Sequence, residues 1–402
     1  MYLNEAIEIV SQLDYPCEKH ENITEYFDII KNSTGVTFTK KFPFSYLTIY
    51  KPKQLGLYIL ERECMNKAHS VCSSINIKIR AKSRRYDDIS PYEYWINNKK
   101  KVIELACAQL ERYKDTYNLE ELPVEMGGLL TNNTTNVNVN VNNNLVAKSL
   151  EHECSLCLFR LGMPASFPSL LITKMLNPLK EANGGDLRVL DISAGWGDRL
   201  VGCCAMDVIY MACDPNTELA SCYEEIINKY GSKEKQKVNI IPFEDYVPDK
   251  LTDRYNCLYT SPPFFNLEIY SEEETQSTSR YPDINLWKNK FLKPCLKKAD
   301  SMLDAGSHIY IHLSDIINKD TRIIYVDEIV NYCVMELKWI FHGVYGHAMQ
   351  DKDKESETVE SRMEKNKLLL KPTYYVKSYR DGVRINKKGE ALAQTIWYFT
   401  KK

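Results

Sequence analysis

The sequence lacks several features that would place it in a special class. No run approaches the roughly 20 consecutive apolar residues of a membrane-spanning helix, and residues 1–8 lack the basic start and continuous apolar core of a secretory signal. The formal net charge is only −2, so any contact with a polyanion has to come from local basic clusters. These absences exclude a membrane protein and predict a soluble, intracellular one.

A disulfide framework is not predicted, although the chain contains 13 cysteines. Their number is odd, and pairs such as Cys203-Cys204 lie in apolar segments, which suits a reducing compartment. His152, Cys154 and Cys157 form one compact cluster. A zinc site needs a fourth ligand, and none lies at a suitable spacing, so packing in a core is favoured and no metal is expected.

The length of 402 residues exceeds one typical domain, and the apolar content of 44 % is that of a globular protein. We expect three regions. An amino-terminal α+β region, mainly helical, covers residues 1–125, with helices at 3–13 and 95–117 and a strand pair around 46–50 and 75–79. Residues 126–145 are asparagine-rich and predict a flexible linker or loop. Residues 146–402 predict a larger domain that starts with a helix at 145–161 and contains a basic insertion at 349–392.

A glycine-containing turn follows the first apolar run of this larger domain. Residues 187–202 read Leu-Arg-Val-Leu-Asp-Ile-Ser-Ala-Gly-Trp-Gly-Asp-Arg-Leu-Val-Gly. An apolar run that ends in an acid, Asp191, and enters a helical pattern is typical of the first β-turn-α unit of a doubly wound sheet. Gly195 and Gly197 allow the backbone to approach a ligand closely.

The next apolar run ends at Asp214, about two dozen residues after Asp191, where an acid can accept hydrogen bonds from both hydroxyls of a ribose. A dinucleotide would require a third glycine, but Leu200 stands at that position, and Asp198 would repel a phosphate. An adenosine cofactor that carries a positive sulfonium instead of phosphate fits better, so S-adenosyl-L-methionine is expected.

A second motif, Leu-Tyr-Thr-Ser-Pro-Pro-Phe-Phe, occupies residues 258–265. The exocyclic amino nitrogen of adenine or cytosine is a poor nucleophile because its lone pair is delocalised into the ring. The Ser261 hydroxyl and the Pro262 carbonyl could each accept one amino hydrogen, while Pro262 and Pro263 hold the backbone still. Phe264 would stack on the presented base. Pro-Pro beside aromatics also occurs in ordinary linkers and strand ends.

Taken together, residues 191–202, Asp214 and residues 260–271 resemble the amino-methyltransferases that modify adenine or cytosine in nucleic acid, particularly the phage-type group with a Ser-Pro-Pro-aromatic box. The resemblance covers roughly residues 165–320. It implies a Rossmann-like, seven-stranded class I methyltransferase sheet whose last strand is antiparallel. The runs at 337–346 and 394–400 would supply the last two strands. It also implies S-adenosyl-L-methionine as the cofactor and nucleic acid, with DNA favoured, as the substrate.

The resemblance further implies roles for individual residues. The catalytic box is Ser261, Pro262, Pro263 and Phe264. The cofactor would be held by Asp191, Ser193, Gly195, Gly197, Asp214, Phe167, Glu244 and Asp245. Asp198 is explained equally well as a helix cap. Glu244 and Asp245 are explained at least as well as surface carboxylates at a strand end. The family more often has Asp-Pro-Phe-Ala-Gly at the first turn and Tyr at the position of Phe264, so the target base stays open between adenine and cytosine.

Two basic clusters are candidates for contact with nucleic acid, although each also reads as a solvated surface. On a strand, Lys78, Arg80, Lys82 and Arg84 would share one face by the two-residue period, with Arg85 beside them. In the insertion, basic and aromatic side chains alternate, which suits gripping phosphates and stacking on bases. Its candidates are Lys371, Tyr374, Tyr375, Lys377 and Arg380.

Three other functions remain open from the sequence. One is an RNA enzyme of the same chemistry, for example on an adenosine near an mRNA cap. Another is a catalytically silent methyltransferase-like subunit that only binds nucleic acid. The third is a nicotinamide-dependent oxidoreductase, which Leu200 disfavours. Methylation of carbon 5 of cytosine would need a nucleophilic cysteine, and Pro294-Cys295 lies in a predicted helix beyond the box. His308 and His312 are predicted to be buried spectators.

Overall fold

The computed structural model describes residues 2–17, 23–33, 55–58, 62–85, 89–112, 139–159, 167–249, 252–317, 322–348, 378–380, 383–385 and 393–402. Its internal contacts divide the chain into two compact units. We call them the helical unit, Met1–Glu21 with Asn76–Ala165, and the sheet unit, Asn22–Ile75 with Ser166–Lys402.

The described helices are α1 (Tyr2–Ser11), α2 (Ile23–Lys31), α3 (Arg62–Lys82), α4 (Pro91–Arg112), α5 (Val139–Phe159), α6 (Ser169–Ala182), α7 (Asp198–Met206), α8 (Ala220–Tyr230), α9 (Ser277–Arg280), α10 (Ile284–Leu286), α11 (Lys293–Met302) and α12 (Val326–Met335). A π-helical turn, Trp287–Leu292, joins α10 to α11. None of these helices is both long enough and apolar enough to span a bilayer.

The described strands are β1 (Leu55–Tyr58), β2 (Arg84–Arg85), β3 (Arg188–Asp191), β4 (Ile209–Cys213), β5 (Gln236–Asn239), β6 (Tyr255–Thr260), β7 (Glu268–Ile269), β8 (Leu303–His312), β9 (Ile316–Ile317), β10 (Arg322–Ile323), β11 (Ile340–Ala348), β12 (Ser378–Arg380), β13 (Val383–Ile385) and β14 (Ala393–Thr400). Strands β12 and β13 form an antiparallel hairpin inside the predicted insertion.

The helical unit is built on the apolar faces of α1, α4 and α5. Leu150, Cys154 and Leu158 follow one another at four-residue spacing, so they share one face of α5, and all three are fully buried. They pack in one core with residues of α1 and α4. Cys154 of the predicted cysteine cluster therefore belongs to this core, and its burial raises the pKa of its thiol.

Two local predictions in the amino-terminal half are wrong. Residues 75–79 lie in α3 rather than in a strand, because the buried positions of this segment, among them Cys72, Asn76 and Arg80, recur every four residues. Residues 139–145 of the predicted linker belong to α5. Residues 46–50, the predicted partner strand, and residues 126–138 of the linker lie outside the described part of the chain.

The sheet unit contains an eight-stranded sheet in the order β1-β11-β14-β8-β6-β3-β4-β5. Strand β14 pairs antiparallel with both β8 and β11, whereas the other described pairs of this eight-stranded sheet are parallel. The seven strands from β11 to β5 have the order and the antiparallel strand of the class I methyltransferase sheet, which confirms the predicted fold class. Strand β1 is an addition that the sequence did not predict.

Helices cover the two faces of the sheet around β3, β6 and β8. Leu190, Leu258 and Ile309 lie on one face and pack in one buried core with α11 and α12. Successive side chains of a strand alternate between faces, so Asp191 and Tyr259 lie on the other. There the hydroxyl of Tyr259 reaches Sδ of Met175 on α6, at 3.2 Å. Both faces of this central region are therefore buried, as parallel strands require.

The division into units differs from the predicted domain boundaries. Residues 22–75 belong to the sheet unit, because β1 pairs with β11. Helix α5 belongs to the helical unit, because it packs against α1 and α4. The predicted runs at 337–346 and 394–400 do form β11 and β14.

Candidate active site

The two sequence motifs lie side by side at the carboxyl edge of the sheet. The glycine turn follows β3, and the Ser-Pro-Pro box follows β6, its neighbour in the sheet. Because parallel strands end at one edge, their following loops meet there. The Ser193 hydroxyl donates a hydrogen bond to the Ser261 carbonyl oxygen, at 3.3 Å. The glycine turn therefore lies against the box.

Asp191 is the fully buried centre of this edge. Its carboxylate accepts hydrogen bonds from Arg199 Nε at 2.7 Å, the Tyr210 hydroxyl at 2.8 Å, the Thr260 hydroxyl at 2.8 Å and the Ser193 backbone N–H at 3.1 Å. These four bonds use the lone pairs that a carboxylate offers. The geometry gives Asp191 an internal role, which is to tie β3, β4, β6 and α7 together.

Arg199 completes this buried network. It is only 4 % exposed, it pairs with Asp191, and it donates to the Ser193 carbonyl oxygen. Burial opposes the charge of the guanidinium, but Asp191 outweighs burial, so the pKa of Arg199 is raised. Its guanidinium carbon lies 5.5 Å from the ring centroid of Phe167, which places Phe167 beside the turn.

The glycine turn has the backbone that its glycines predict. Gly195 and Gly197 have φ angles of +60° and +87°, in the region that only glycine adopts at little cost. The Tyr223 hydroxyl donates to the Gly195 carbonyl oxygen and fixes the turn from α8. Asp198 begins α7 and is 2 % exposed, and its carboxylate accepts a hydrogen bond from the Ser169 hydroxyl at 3.4 Å. A buried carboxylate at this helix start disfavours a bound phosphate.

Asp214 follows β4 and faces the glycine turn. One carboxylate oxygen accepts the Gly195 backbone N–H at 2.8 Å, and the other accepts the Asn216 N–H at 3.0 Å. Burial raises the pKa of Asp214 to about 6, although the two backbone hydrogen bonds favour its ionised form. Each oxygen has a further lone pair, so the carboxylate can still accept one hydrogen bond on each side, as the two hydroxyls of a ribose require.

Glu244 and Asp245 lie in a turn beyond the third strand of this edge, since β5 ends at Asn239. Arg280 bridges them, with its Nη1 atom 3.5 Å from Glu244 and 2.7 Å from Asp245. Burial raises the pKa of Glu244. Lys298 binds the carbonyl oxygens of this turn, including that of Glu244 at 2.6 Å, and so fixes its position.

In the box, Ser261 contacts His312, which the sequence predicts to be a buried residue with no part in the site. The Ser261 hydroxyl lies 2.8 Å from Nδ1 of His312, the last residue of β8. Phe264 is 8 % exposed and meets the His312 ring edge-on, with centroids 5.3 Å apart. Phe265 is buried with a φ of +47°, a strained conformation for a phenylalanine. The box is thus a tight turn packed against β8.

The segment after the box contacts the loops that follow β3 and β4. Tyr270 contacts Trp196 of the glycine turn edge-on, with centroids 5.8 Å apart. Glu273 accepts hydrogen bonds from Thr217, in the loop after β4. The three loops that follow β3, β4 and β6 therefore form one connected rim.

The described residues that are predicted to contact nucleic acid lie on several separate elements. Lys78, Arg80 and Lys82 lie on α3, where alternate residues do not share a face, so the predicted basic strand face is wrong; Arg84 and Arg85 form the short β2. Arg80 is 5 % exposed, and Lys78 pairs with Asp14 at 3.3 Å. In the insertion, Arg380 ends β12, whereas the other four candidates lie outside the described residues: Lys371, Tyr374, Tyr375 and Lys377.

Comparison with known proteins finds only distant structural likenesses. No protein-family model matches the chain, and no curated protein matches it. Among solved structures, a candidate RNA methyltransferase from Pyrococcus horikoshii is 15 % identical, with a TM-score of 0.32, over 58 % of this chain and 86 % of that one. The tRNA methyltransferase TrmI from Aquifex aeolicus is 13 % identical, with a TM-score of 0.32, over 59 % and 70 %. The strand order of the chain itself defines its fold.

Proposed function

We propose that this protein is an S-adenosyl-L-methionine-dependent methyltransferase that modifies the exocyclic amino group of adenine or cytosine in nucleic acid. The observation that carries the proposal is the hydrogen bond between Ser193 and Ser261, because it joins the glycine turn to the box. A cofactor held by the turn would then present its reactive carbon to a group held by the box. From the resemblance of the box, DNA is the favoured polymer.

The residues of the rim suit this cofactor. Asp214 keeps one lone pair on each oxygen for ribose hydroxyls, and Glu244 and Asp245 supply acceptors one strand further along the edge. The buried Asp198 at the start of α7 disfavours the pyrophosphate of a dinucleotide, which supports the methyl donor over a nicotinamide cofactor. When bound, the cofactor supplies an electrophilic methyl carbon on a positively charged sulfur.

The chain itself contributes positioning. The Ser261 hydroxyl and the Pro262 carbonyl oxygen accept the two amino hydrogens, which draws the nitrogen lone pair out of the ring and aims it at the methyl carbon. Transfer would form the bond between nitrogen and the methyl carbon as the carbon–sulfur bond breaks, which would leave S-adenosylhomocysteine, and the cationic nitrogen would then pass a proton to water. No covalent intermediate is needed, and Cys295 is fully buried in α11, with the pKa of its thiol raised by burial, so it does not offer a nucleophile.

The test is a methyl-transfer assay on three pools: duplex DNA, single-stranded DNA and RNA. Each pool is incubated with S-adenosyl-L-methionine that carries a labelled methyl group, and the nucleosides are identified by mass spectrometry. We expect N6-methyladenine or N4-methylcytosine, and the pool that contains it decides between DNA and RNA. Label in 5-methylcytosine, or no label in any pool, would contradict the proposal.

Variants separate the two halves of the site. Ser261→Ala should lose most transfer while its affinity for S-adenosylhomocysteine, measured by isothermal titration, stays near that of the wild type. Ser301→Ala, which changes an exposed serine on α11, serves as the control. Phe264 is buried, so its truncation would mainly test packing. Phe264→Tyr keeps the ring and is therefore the better variant for testing this position. If Ser261→Ala also lost the cofactor, the assigned division of labour would be wrong.

A further inference from the structure

The contact between Ser261 and His312 is held from several sides. His312 ends β8, is 6 % exposed, and places its Nδ1 atom 2.8 Å from the Ser261 hydroxyl. The rings of Phe167 and Phe264 meet the imidazole edge-on, with centroid distances of 5.5 and 5.3 Å. Packing of this kind fixes the rotamer of the imidazole, so the contact is a built feature of the box.

The register of the sheet brings the two residues together. Strands β6 and β8 are parallel neighbours, and Thr260 pairs with Ile311. Ser261, the residue after β6, and His312, the last residue of β8, are therefore neighbours at the carboxyl edge. Any change at His312 thus acts directly on the hydroxyl that the proposed function assigns to the target amino group.

A serine hydroxyl has one hydrogen and two lone pairs, so the direction of the hydrogen bond decides what it can offer. If Nδ1 accepts the hydroxyl hydrogen, the lone pairs of Oγ remain available for an amino hydrogen. If Nδ1 carries a proton and donates it to Oγ, one lone pair is used and the hydroxyl hydrogen is free to point at the amino nitrogen. The first arrangement leaves both lone pairs for amino hydrogens, whereas the second leaves one and adds a hydroxyl hydrogen that can bind the nitrogen lone pair, so the first exposes that lone pair better.

We propose that His312 is a positioning residue that, as a neutral imidazole protonated on Nε2, accepts the Ser261 hydroxyl hydrogen at Nδ1 and turns the Oγ lone pairs toward the target amino group. This role rests on the proposed amino-methyltransferase function.

Few other polar groups face the imidazole in the described contacts. The box contributes Ser261 and the uncharged ring of Phe264. The segment before α6 contributes Phe167, whose ring also contacts the guanidinium of Arg199 and the ring of Tyr259. Arg199 is itself paired with Asp191. Within the described contacts, a change in His312 is expected to act on the Ser261 hydroxyl, which lies 2.8 Å from Nδ1.

A kinetic test uses two substitutions of His312 on the nucleic-acid pool that the wild type methylates. His312→Phe keeps a ring but removes the acceptor, and kcat should fall roughly 10- to 100-fold, with unchanged affinity for S-adenosylhomocysteine. In His312→Asn the side-chain oxygen can accept the hydroxyl hydrogen, so most of kcat should return. His308→Asn, on the same strand but bonded to Tyr398, is the control.

If the wild type methylates and His312→Phe retains its kcat, the inference is wrong. A wild type that methylates none of the pools would instead count against the proposed function. A ¹⁵N NMR measurement, which needs no activity, would still decide the role of His312.

That measurement is the ¹⁵N spectrum of the histidine side chains in labelled protein, with His312 assigned by its absence from His312→Asn. Near pH 8 we expect the proton on Nε2, a hydrogen-bonded Nδ1, and a clear change of the Nδ1 resonance in Ser261→Ala. A proton on Nδ1, or a resonance that Ser261→Ala leaves unchanged, would overturn the inference. Thermal unfolding of each variant shows whether it is folded.

Discussion

Asp214 is the acidic side chain whose chemistry changes most within the working range of pH. Burial raises its pKa to about 6, whereas an ordinary aspartate titrates near 3.8. The raised pKa means that the contribution of Asp214 to folding stability is present below about pH 3.8 and is lost as pH rises through about 6. Ribose hydroxyls prefer the ionised carboxylate, so cofactor binding should have the opposite dependence.

We therefore predict that affinity for S-adenosylhomocysteine is constant above about pH 7 and falls below pH 6, approaching about tenfold per pH unit. Isothermal titration between pH 5 and pH 8 measures it. Asp214→Asn should bind more weakly at every pH, with no such dependence. A wild type whose affinity stays flat across this range would show that the Asp214 carboxylate does not bind the cofactor.

Substitution of Asp191 should mainly lower the stability of the folded protein. Asp191→Asn keeps the shape of the side chain but leaves the buried guanidinium of Arg199 without its counter-charge, which should lower the free energy of unfolding by about 3–5 kcal/mol. Urea denaturation measures the loss. The matched control is Asp207→Asn, which breaks the exposed pair with Lys235 and should cost less than about 1 kcal/mol. Equal losses in the two variants would contradict the role given to the buried pair.

The sequence identified the types of residue at the site more reliably than their partners. Asp191 ends β3, and Asp214 and Ser261 directly follow β4 and β6, because a polar residue at the end of an apolar run marks the end of a strand. The bond between Ser261 and His312 depends on the pairing of β6 with β8, which joins residues far apart in the chain. No local pattern contains that register, so His312 read as a buried spectator.

Helices α6 and α7 approach each other closely at Gly202. A Cβ atom added there would overlap Cγ2 of Ile172 and lie 3.0 Å from the Ser169 carbonyl oxygen. Alanine is favoured over glycine in a helix by about 1 kcal/mol, but overpacking costs about 1–3 kcal/mol. The sign of the substitution therefore depends on whether the two helices can separate.

We predict that Gly202→Ala destabilises the protein by about 1–2 kcal/mol, because a backbone oxygen blocks relaxation. In a background of Ile172→Ala, which removes Cγ2, the same change should cost at least 0.5 kcal/mol less, on the order of a contact coupling. Chemical denaturation of the four proteins in the cycle measures this coupling. Strictly additive effects would mean that the α6–α7 contact does not limit residue 202.

Element types were predicted well where apolar period and boundary residues agree, and poorly where polar residues lie inside. In α3, Asn76 and Arg80 occupy buried positions, so the helical period is concealed and the alternation of Ile75, Ile77 and Ile79 suggests a strand. Helix α5 begins among asparagines that favour a loop, because its later turns pack in a core and a formed helix extends readily.

At the scale of the whole molecule, each unit has a buried core of its own. A ligand that binds only the folded sheet unit stabilises that unit, by about 2.7 kcal/mol at a concentration 100 times Kd. We predict that S-adenosylhomocysteine slows amide hydrogen exchange in β3, β4 and β6 but leaves exchange in α1, α4 and α5 nearly unchanged. Exchange followed by mass spectrometry measures both sets of peptides. Equal slowing in the two units would show that they unfold as one.

Strand β14 also has a consequence for biosynthesis. It lies between β8 and β11, so the parallel part of the sheet and its outer strands stay apart until residues 393–400 have left the ribosome. Until then β8 has an unpaired edge of the kind that invites aggregation. A ribosome that stalls before codon 393 would thus leave a nascent chain with a formed glycine turn and an open sheet, and such a chain should depend on chaperones.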